Sequence, residues 1–269
     1  MDTILHLLTR LYASLRPFAP SFLMFALMFT LIVLLEARSH ANLGRYRQRG
    51  FWSDVIYAVF YTSGVYLLLL YLPIMALFSP TARLDLLPRL PVPVAMALSF
   101  LVVDCANYWM HRLEHASPVL WAFHSVHHSQ QTLTCLTQFR HHVVNQLLHQ
   151  VVMMIPIMAL LGLPVGMWLP VTMLFTMLES LQHAELAWTY GPLGRLFVSP
   201  VFHSVHHSTD PSKFGRNFGM TLSIWDYLFG TADDVRVRER TAGLSDWTVT
   251  ESPLAHFTAP FRALVRRKR

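Results

Sequence analysis

The chain has 269 residues, of which 54% are apolar and only 13% charged, where an ordinary soluble domain carries about 25%. Its net charge is +6, but basic and aromatic residues do not interleave, which argues against a nucleic-acid surface and for anchoring at anionic lipid. Two cysteines, Cys105 in an apolar stretch and Cys135 in a polar one, give no disulfide framework.

The amino terminus does not read as a cleavable signal, because its apolar stretch is too long and no small-residue cleavage pattern follows. Pro17 to Leu35 carries no Asp, Glu, Lys or Arg, and neither does Val55 to Ala82. Leu90 to Met110 carries Asp104 alone. A bilayer core roughly 30 Å thick needs about 20 apolar residues in a helix. Three spanning helices are expected, the third with Asp104 facing inward or near the interface. His141 to Leu178 is again free of those four residue types, and its arms Leu147–Leu161 and Gly166–Leu178 flank the breaker Gly162-Leu163-Pro164. A helical hairpin is predicted, each arm short for a full crossing. It returns the chain to the side it left, so His111–His142 and His183–His207 should share that side.

Basic residues set the orientation. Arg38, Arg45, Arg47 and Arg49 follow the first span, whereas Arg83 and Arg89, with Asp85, follow the second. Arg10 and Arg16 oppose this bias without reversing it, and the chain ends Arg266-Arg267-Lys268-Arg269. The expectation is an all-α, multi-pass integral membrane bundle with a cytoplasmic, histidine-rich helical cap. Residues 1–93 would form N-terminal spanning helices, 94–231 a catalytic domain, and 232–269 a basic surface tail.

Twelve of the 15 histidines fall between His111 and His207. The hexapeptide His-Ser-Val-His-His-Ser occurs twice, at His124–Ser129 and His203–Ser208, each time behind a phenylalanine (Phe123, Phe202). Spacing of i, i+3 and i+4 puts His124, His127 and His128 on one helix face, and His203, His206 and His207 likewise. His111 and His115, at i and i+4, project together, and His183 stands just after the hairpin. His142, in preference to His141, is a weaker addition. His149 reads as a buried, hydrogen-bonded group, and His6, His40 and His256 as surface residues. Imidazole suits iron, zinc and copper. More than four rings around a point exceed the tetrahedral shell of one zinc, and eight or more suggest two metals. Asp104, Glu114, Glu179, Glu185 and Asp210 are the carboxylates available to fix the ring tautomers.

Three segments carry a family resemblance: Asp104-Cys-Ala-Asn-Tyr-Trp-Met-His-Arg-Leu-Glu-His115, Trp121-Ala-Phe-His-Ser-Val-His-His128 and Phe202-His-Ser-Val-His-His207. They resemble the histidine boxes of the fatty acid hydroxylase and sterol desaturase superfamily. Asn217-Phe-Gly…Trp225-Asp-Tyr-Leu-Phe-Gly-Thr231 is similar to the segment that closes that family's domain. The resemblance covers roughly residues 94–231, and the combined box spacing is highly specific. It implies a membrane enzyme with two non-haem iron ions, using dioxygen and external electrons to hydroxylate, desaturate or cleave lipids. His111, His115, His124, His127, His128, His203, His206 and His207 match the boxes, and His183 matches the histidine found after the hairpin. No catalytic residue beyond the metal ligands is implied. Two positions depart from many bacterial members: Glu185 stands where Asn is usual, and Arg140-His-His142-Val-Val-Asn145 replaces a His-Pro-x-Glu pattern.

The expected reaction is sterol- or fatty-acyl-class lipid hydroxylation or desaturation. Met153, Met154, Trp168 and Phe175 are candidates for lining a lipid channel. The sequence shows no dinucleotide fingerprint and no cysteine set for an iron–sulfur cluster. Electrons are therefore expected from a separate cytochrome b5-like protein or a ferredoxin and its reductase. Two rivals compete. His111-Arg-Leu-Glu-His115 also fits His-x-x-Glu-His of a zinc hydrolase with Glu114 activating water, but leaves both hexapeptides unexplained. A non-enzymatic haem or metal-transport protein would place histidines near mid-membrane or along a path, not at helix ends.

Overall fold

The computed structural model describes residues 19–78, 84–162, 165–244 and 252–266; within these, the side chains of 19–22, 165–169 and 266 are left out. Among the described residues the architecture is helical, with two isolated β-bridges and no strand. Helix α1 (Ala19–Arg38) covers the first uncharged stretch. Its exposed Leu23, Leu27, Leu31 and Leu34 form a stripe at helical spacing, which suits a lipid-facing surface. The second uncharged stretch is not the straight span expected of it. Helix α2 (Arg49–Thr62) meets the following helical run Leu67–Leu77, which ends within α3 (Leu72–Phe78), at a bend of 52°. The cause lies at Ser63-Gly64, where Gly64 takes a φ of 87° that continues no right-handed helix.

Helix α4 (Val92–Ala116) has 25 residues and begins with Pro91 at its cap. Asp104 faces inward and is fully buried. The hairpin forms as expected, but with a longer first arm. Helix α6 (Val143–Leu148), a π-helical turn (His149–Met154) and α7 (Ile155–Leu161) run continuously over Val143–Leu161. That run is long and apolar enough to cross a membrane, as is α4, and the bent pair makes a third if it counts as one span. Gly162 stops the arm with a φ of 72°, and α8 (Val165–His183) returns. At the turn, the amides of Leu84, Leu86 and Leu87 donate to the terminal carbonyls of Ala159, Leu160 and Leu161. These satisfy the orphan acceptors of the helix end.

The carboxyl ends of α1, α4 and α8 lie together. Glu36 of α1 accepts from the Glu185 amide just past α8 and from the Tyr46 hydroxyl. The cap on this end comprises α5 (Pro118–His128), α9 (Pro200–His206), α10 (Ile224–Leu228) and α11 (Pro253–Arg266). The segment after Thr231 is not a detached tail. Arg238 donates to the Pro200 carbonyl, Glu239 N to Ser204 Oγ, and α11 packs on α5. His256, expected at the surface, is fully buried and stacks on Tyr57. His40 is exposed as expected, while His6, Arg83 and the last three residues lie outside the described residues.

Candidate metal centre

Both hexapeptides sit on short helices that start the same way. Ser117-Pro118 opens α5 and Ser199-Pro200 opens α9, each serine oxygen accepting from the amide three residues on, Leu120 N and Phe202 N. Proline at the first helical position needs no donor partner, so Ser-Pro is a helix start here. Helix α5 runs one turn further before its first histidine, which sets the two copies at different depths along their helices.

Nine of the ten candidate imidazoles come together in two groups. His111, His115, His124, His128 and His206 form one; His127, His183, His203 and His207 form the other. Within each, one ligand-capable atom per residue lies within 4.8 Å of the rest. The Nε2 atoms of His127 and His183 are 3.3 Å apart, of His183 and His203 3.0 Å, and of His203 and His207 3.2 Å. In the first group, His206 and His128 approach to 3.1 Å, again through Nε2. Nitrogens about 2.1 Å from one metal would be spaced about 3.0–3.4 Å, from a right angle to a tetrahedral one.

Tautomers follow from the backbone. A carbonyl oxygen only accepts, so His111 Nδ1–H donates to Phe218 O, His206 Nδ1–H to Arg216 O, and His183 Nδ1–H to Glu179 O, at 2.7–2.9 Å. Each leaves a bare Nε2 lone pair aimed into the cluster. The Nε2 atoms of His111 and His115 are buried without a hydrogen-bond partner. Burial pushes His124, His127, His128, His203, His206 and His207 well below the usual histidine range, so the rings are neutral. Converging neutral lone pairs repel and go unsatisfied unless a cation lies among them. The donor set therefore fits two metal ions, each held by imidazole without a carboxylate in either group.

His142 is not brought to the centre. Its Nδ1 accepts from Val144 N at 3.1 Å, capping α6, and its Nε2–H donates to Phe257 O at 3.1 Å. Both nitrogens are spent. The preceding residue, His141, faces inward, with its ring stacked 4.8 Å from that of His127. His142 has extended dihedrals, and consecutive residues in extended backbone point to opposite sides. Arg140 fixes that choice, donating to Asp54 Oδ1 at 2.5 Å, to the Gly50 carbonyl at 2.8 Å and to Ser129 Oγ at 3.3 Å.

Of the five carboxylates considered, only Glu114 touches the rings. It lies 3.1 Å from His124 Nδ1 and 2.7 Å from His149 Nε2. His149 is thus the hydrogen-bonded group expected of it. Asp104 instead accepts from Thr221 N at 3.0 Å, Leu222 N at 3.1 Å, Trp225 Nε1 at 2.7 Å and the Thr221 hydroxyl. Asp210 caps Ser212, and Glu185 pairs with Arg45, which accounts for an acidic residue there.

The segment 216–231, a motif without a role in the sequence, acts as a clasp. Asp226 accepts from Phe218 N and Gly219 N, both at 2.7 Å, and from the Thr231 hydroxyl. Asn217, with a φ of 57°, ties Phe202 O to Asp233. The clasp presents the Arg216 and Phe218 carbonyls to His206 and His111. A Cβ on Gly219 would stand 2.6 Å from Leu222 O, so only glycine fits.

A cavity of about 320 Å³ adjoins the centre between α4, α6–α7 and α8. Met153, Met154 and Phe175 line it as expected; the Trp168 side chain lies outside the described residues.

A profile of the fatty acid hydroxylase family matches residues 96–231, half of the chain. The chain belongs to the fatty acid hydroxylase family. It is 32% identical over 141 residues to an ornithine lipid hydroxylase of Rhizobium tropici, covering 52% of this chain and 42% of that protein. It is 36% identical over 140 residues to an alkylglycerol monooxygenase of Danio rerio, 50% of this chain and 29% of that one. A very-long-chain aldehyde decarbonylase of Oryza sativa subsp. indica is 27% identical over 175 residues, 59% of this chain and 27% of that protein. The matched part is thus less than half the length of each of these relatives. No solved structure matches.

Proposed function

We propose that this protein is a multi-pass membrane oxygenase that hydroxylates or desaturates a lipid at a two-iron centre. The single observation that carries this reading is the division of nine buried imidazoles into two convergent groups. Zinc would fit imidazole equally well but has no redox chemistry, whereas relatives are named hydroxylase and monooxygenase. Bound iron would supply dioxygen reduction, the overall hydroxylation consuming one substrate C–H, dioxygen, two electrons and two protons to give an alcohol and water. The chain's own residues provide the rest. His111, His115, His124, His128 and His206 would hold one ion, and His127, His183, His203 and His207 the other. The clasp keeps His111 and His206 in the tautomer that ligates. The cavity between α4 and α8 admits a lipid from the bilayer and excludes water. Electrons would come from a separate donor of the small haem or iron–sulfur kind. The histidine end would face the cytoplasm, following the basic residues after α1 and at the carboxyl end.

The zinc-hydrolase reading fits less well, since it uses only His111 and His115 and leaves the other seven converging rings unexplained, and Glu114 Oε1 is already hydrogen-bonded to His149 Nε2. Metal content per chain in anaerobically purified protein, with lipid analysis of cells with and without it, tests the proposal. The expected result is about two irons and a lipid that gains oxygen or loses hydrogen. A stoichiometric zinc content with ester or amide cleavage would overturn it.

A further inference from the structure

Helix α11 is covered by the protein on one face only. The covered face carries His256, Ala259 and Pro260, all buried, with His256 stacked on Tyr57 of α2. On the opposite face Leu254, Phe257, Phe261 and Val265 follow one another at i, i+3, i+7 and i+11, which is a single stripe. All four are exposed, Leu254 to 76% and Val265 to 60%. Large apolar side chains aligned on one open face mark a contact surface. At 14 residues, roughly 21 Å, the helix is too short to cross a bilayer core of about 30 Å. It must meet its partner lying flat.

Two contacts fix the level of this helix. The Phe257 carbonyl accepts from His142 Nε2 at 3.1 Å, and His142 caps the run Val143–Leu161, which is long and apolar enough to cross a membrane. Phe261 meets Phe123 edge-on, one residue before His124, with ring centroids 5.5 Å apart. The helix therefore lies where a span begins. Trp52, near the start of the neighbouring α2, is also exposed, and indoles favour the membrane–water boundary. Five of the eight residues 262–269 are basic, and none is acidic. An apolar stripe beside a cationic run is the pattern of a helix lying among lipid headgroups. Each basic residue near such a surface strengthens attraction to anionic lipid about fivefold. A second copy is a poorer fit, because α11 carries no Asp or Glu to meet the basic run of its twin. Resting only on the membrane part of the reading above, we propose that α11 is an interfacial helix. Its exposed stripe enters an anionic leaflet, and the basic run 262–269 sits among the phosphates. Through Phe257 and Phe261 that anchorage braces His142 and α5, the helix bearing His124, His127 and His128.

The test uses the full-length protein with Cys105→Ser, spin-labelled at Leu254→Cys or Val265→Cys, in phosphatidylcholine nanodiscs with and without phosphatidylglycerol. Cys135 is buried and Leu254 and Val265 are exposed, so labelling reports the open face. Both labels should collide more often with dissolved oxygen than with a water-soluble nickel chelate. Phosphatidylglycerol should raise the unfolding temperature of the unlabelled protein by about 2–4 °C. Replacing the five basic residues of 262–269 by glutamine should abolish that rise. If the glutamine variant does not fold, added salt is read in its place and should remove the same rise. Labels that meet the nickel chelate more often put the face in water and overturn the assignment. Spin–spin broadening between labels does so too, because it seats a second copy there. An unfolding temperature blind to phosphatidylglycerol, or a rise that survives the glutamine changes, overturns the anionic preference. A protein stripped from membranes by alkaline carbonate refutes the multi-pass reading itself, whereas water-exposed labels on a protein that resists stripping refute only the role of α11.

Discussion

The two identical hexapeptides divide their histidines in opposite ways. In the first copy the i and i+4 rings, His124 and His128, join the five-membered group, while the i+3 ring, His127, joins the other. In the second copy His203 and His207 join the four-membered group, and His206 crosses to the first. Each copy thus gives two rings to one cluster and one to its neighbour, an exchange with approximate two-fold character. The symmetry breaks in what is added: His111 and His115 from α4 on one side, His183 from α8 on the other. One motif can therefore build two different sites, because a helix offers i and i+4 along one line and i+3 on an adjacent edge.

The largest expected effect comes from removing both crossing rings. His127→Ala with His206→Ala should leave one metal or none and cut activity by about 10³-fold or more, read by elemental analysis and turnover of the same preparation. Singly, the two should differ. His127→Ala leaves three ligands and should empty its group, whereas His206→Ala leaves four and should only weaken binding. Equal losses would break the comparison. Next, Gly219→Ala forces a Cβ against Leu222 O and Asp226, and should destabilise by about 1–3 kcal/mol in thermal unfolding. Asp226→Asn should lower metal affinity about 10–100-fold, mainly through His111, the ring held by the Phe218 carbonyl.

Protonation sharpens the same contrast. The cap histidines have folded-state values below their unfolded one, so the unfolded chain binds more protons as pH falls. Metal-free protein should therefore be most stable above about pH 6.5 and lose stability below it. His141 contributes down to about 4. Metal-loaded protein should resist this until the metal leaves, and identical melting curves for both forms across that range would contradict it. The smallest effect belongs to His142→Gln, which should keep the metal content and lose about 1 kcal/mol of stability, because that ring only caps α6 and holds Phe257.

Charge-free runs and the His-x-x-His-His spacing were legible because bilayer thickness and helix pitch impose them locally. From them came the helical class, the hairpin returning both histidine regions to one end, and six of the nine converging rings; His111 and His115 came from i, i+4 spacing and His183 from its place after the hairpin. The bend at Gly64 was not legible, since a glycine in an apolar run is compatible with a straight helix as well. Tertiary structure alone decided which rings share a cluster, that His141 faces in while His142 faces out, and that backbone carbonyls, more than carboxylates, orient the rings. Those choices depend on Arg140 reaching Asp54 and on Asp226 holding the clasp, contacts between residues far apart in sequence. Local periodicity says which side chains can point together; only the packed chain says at what.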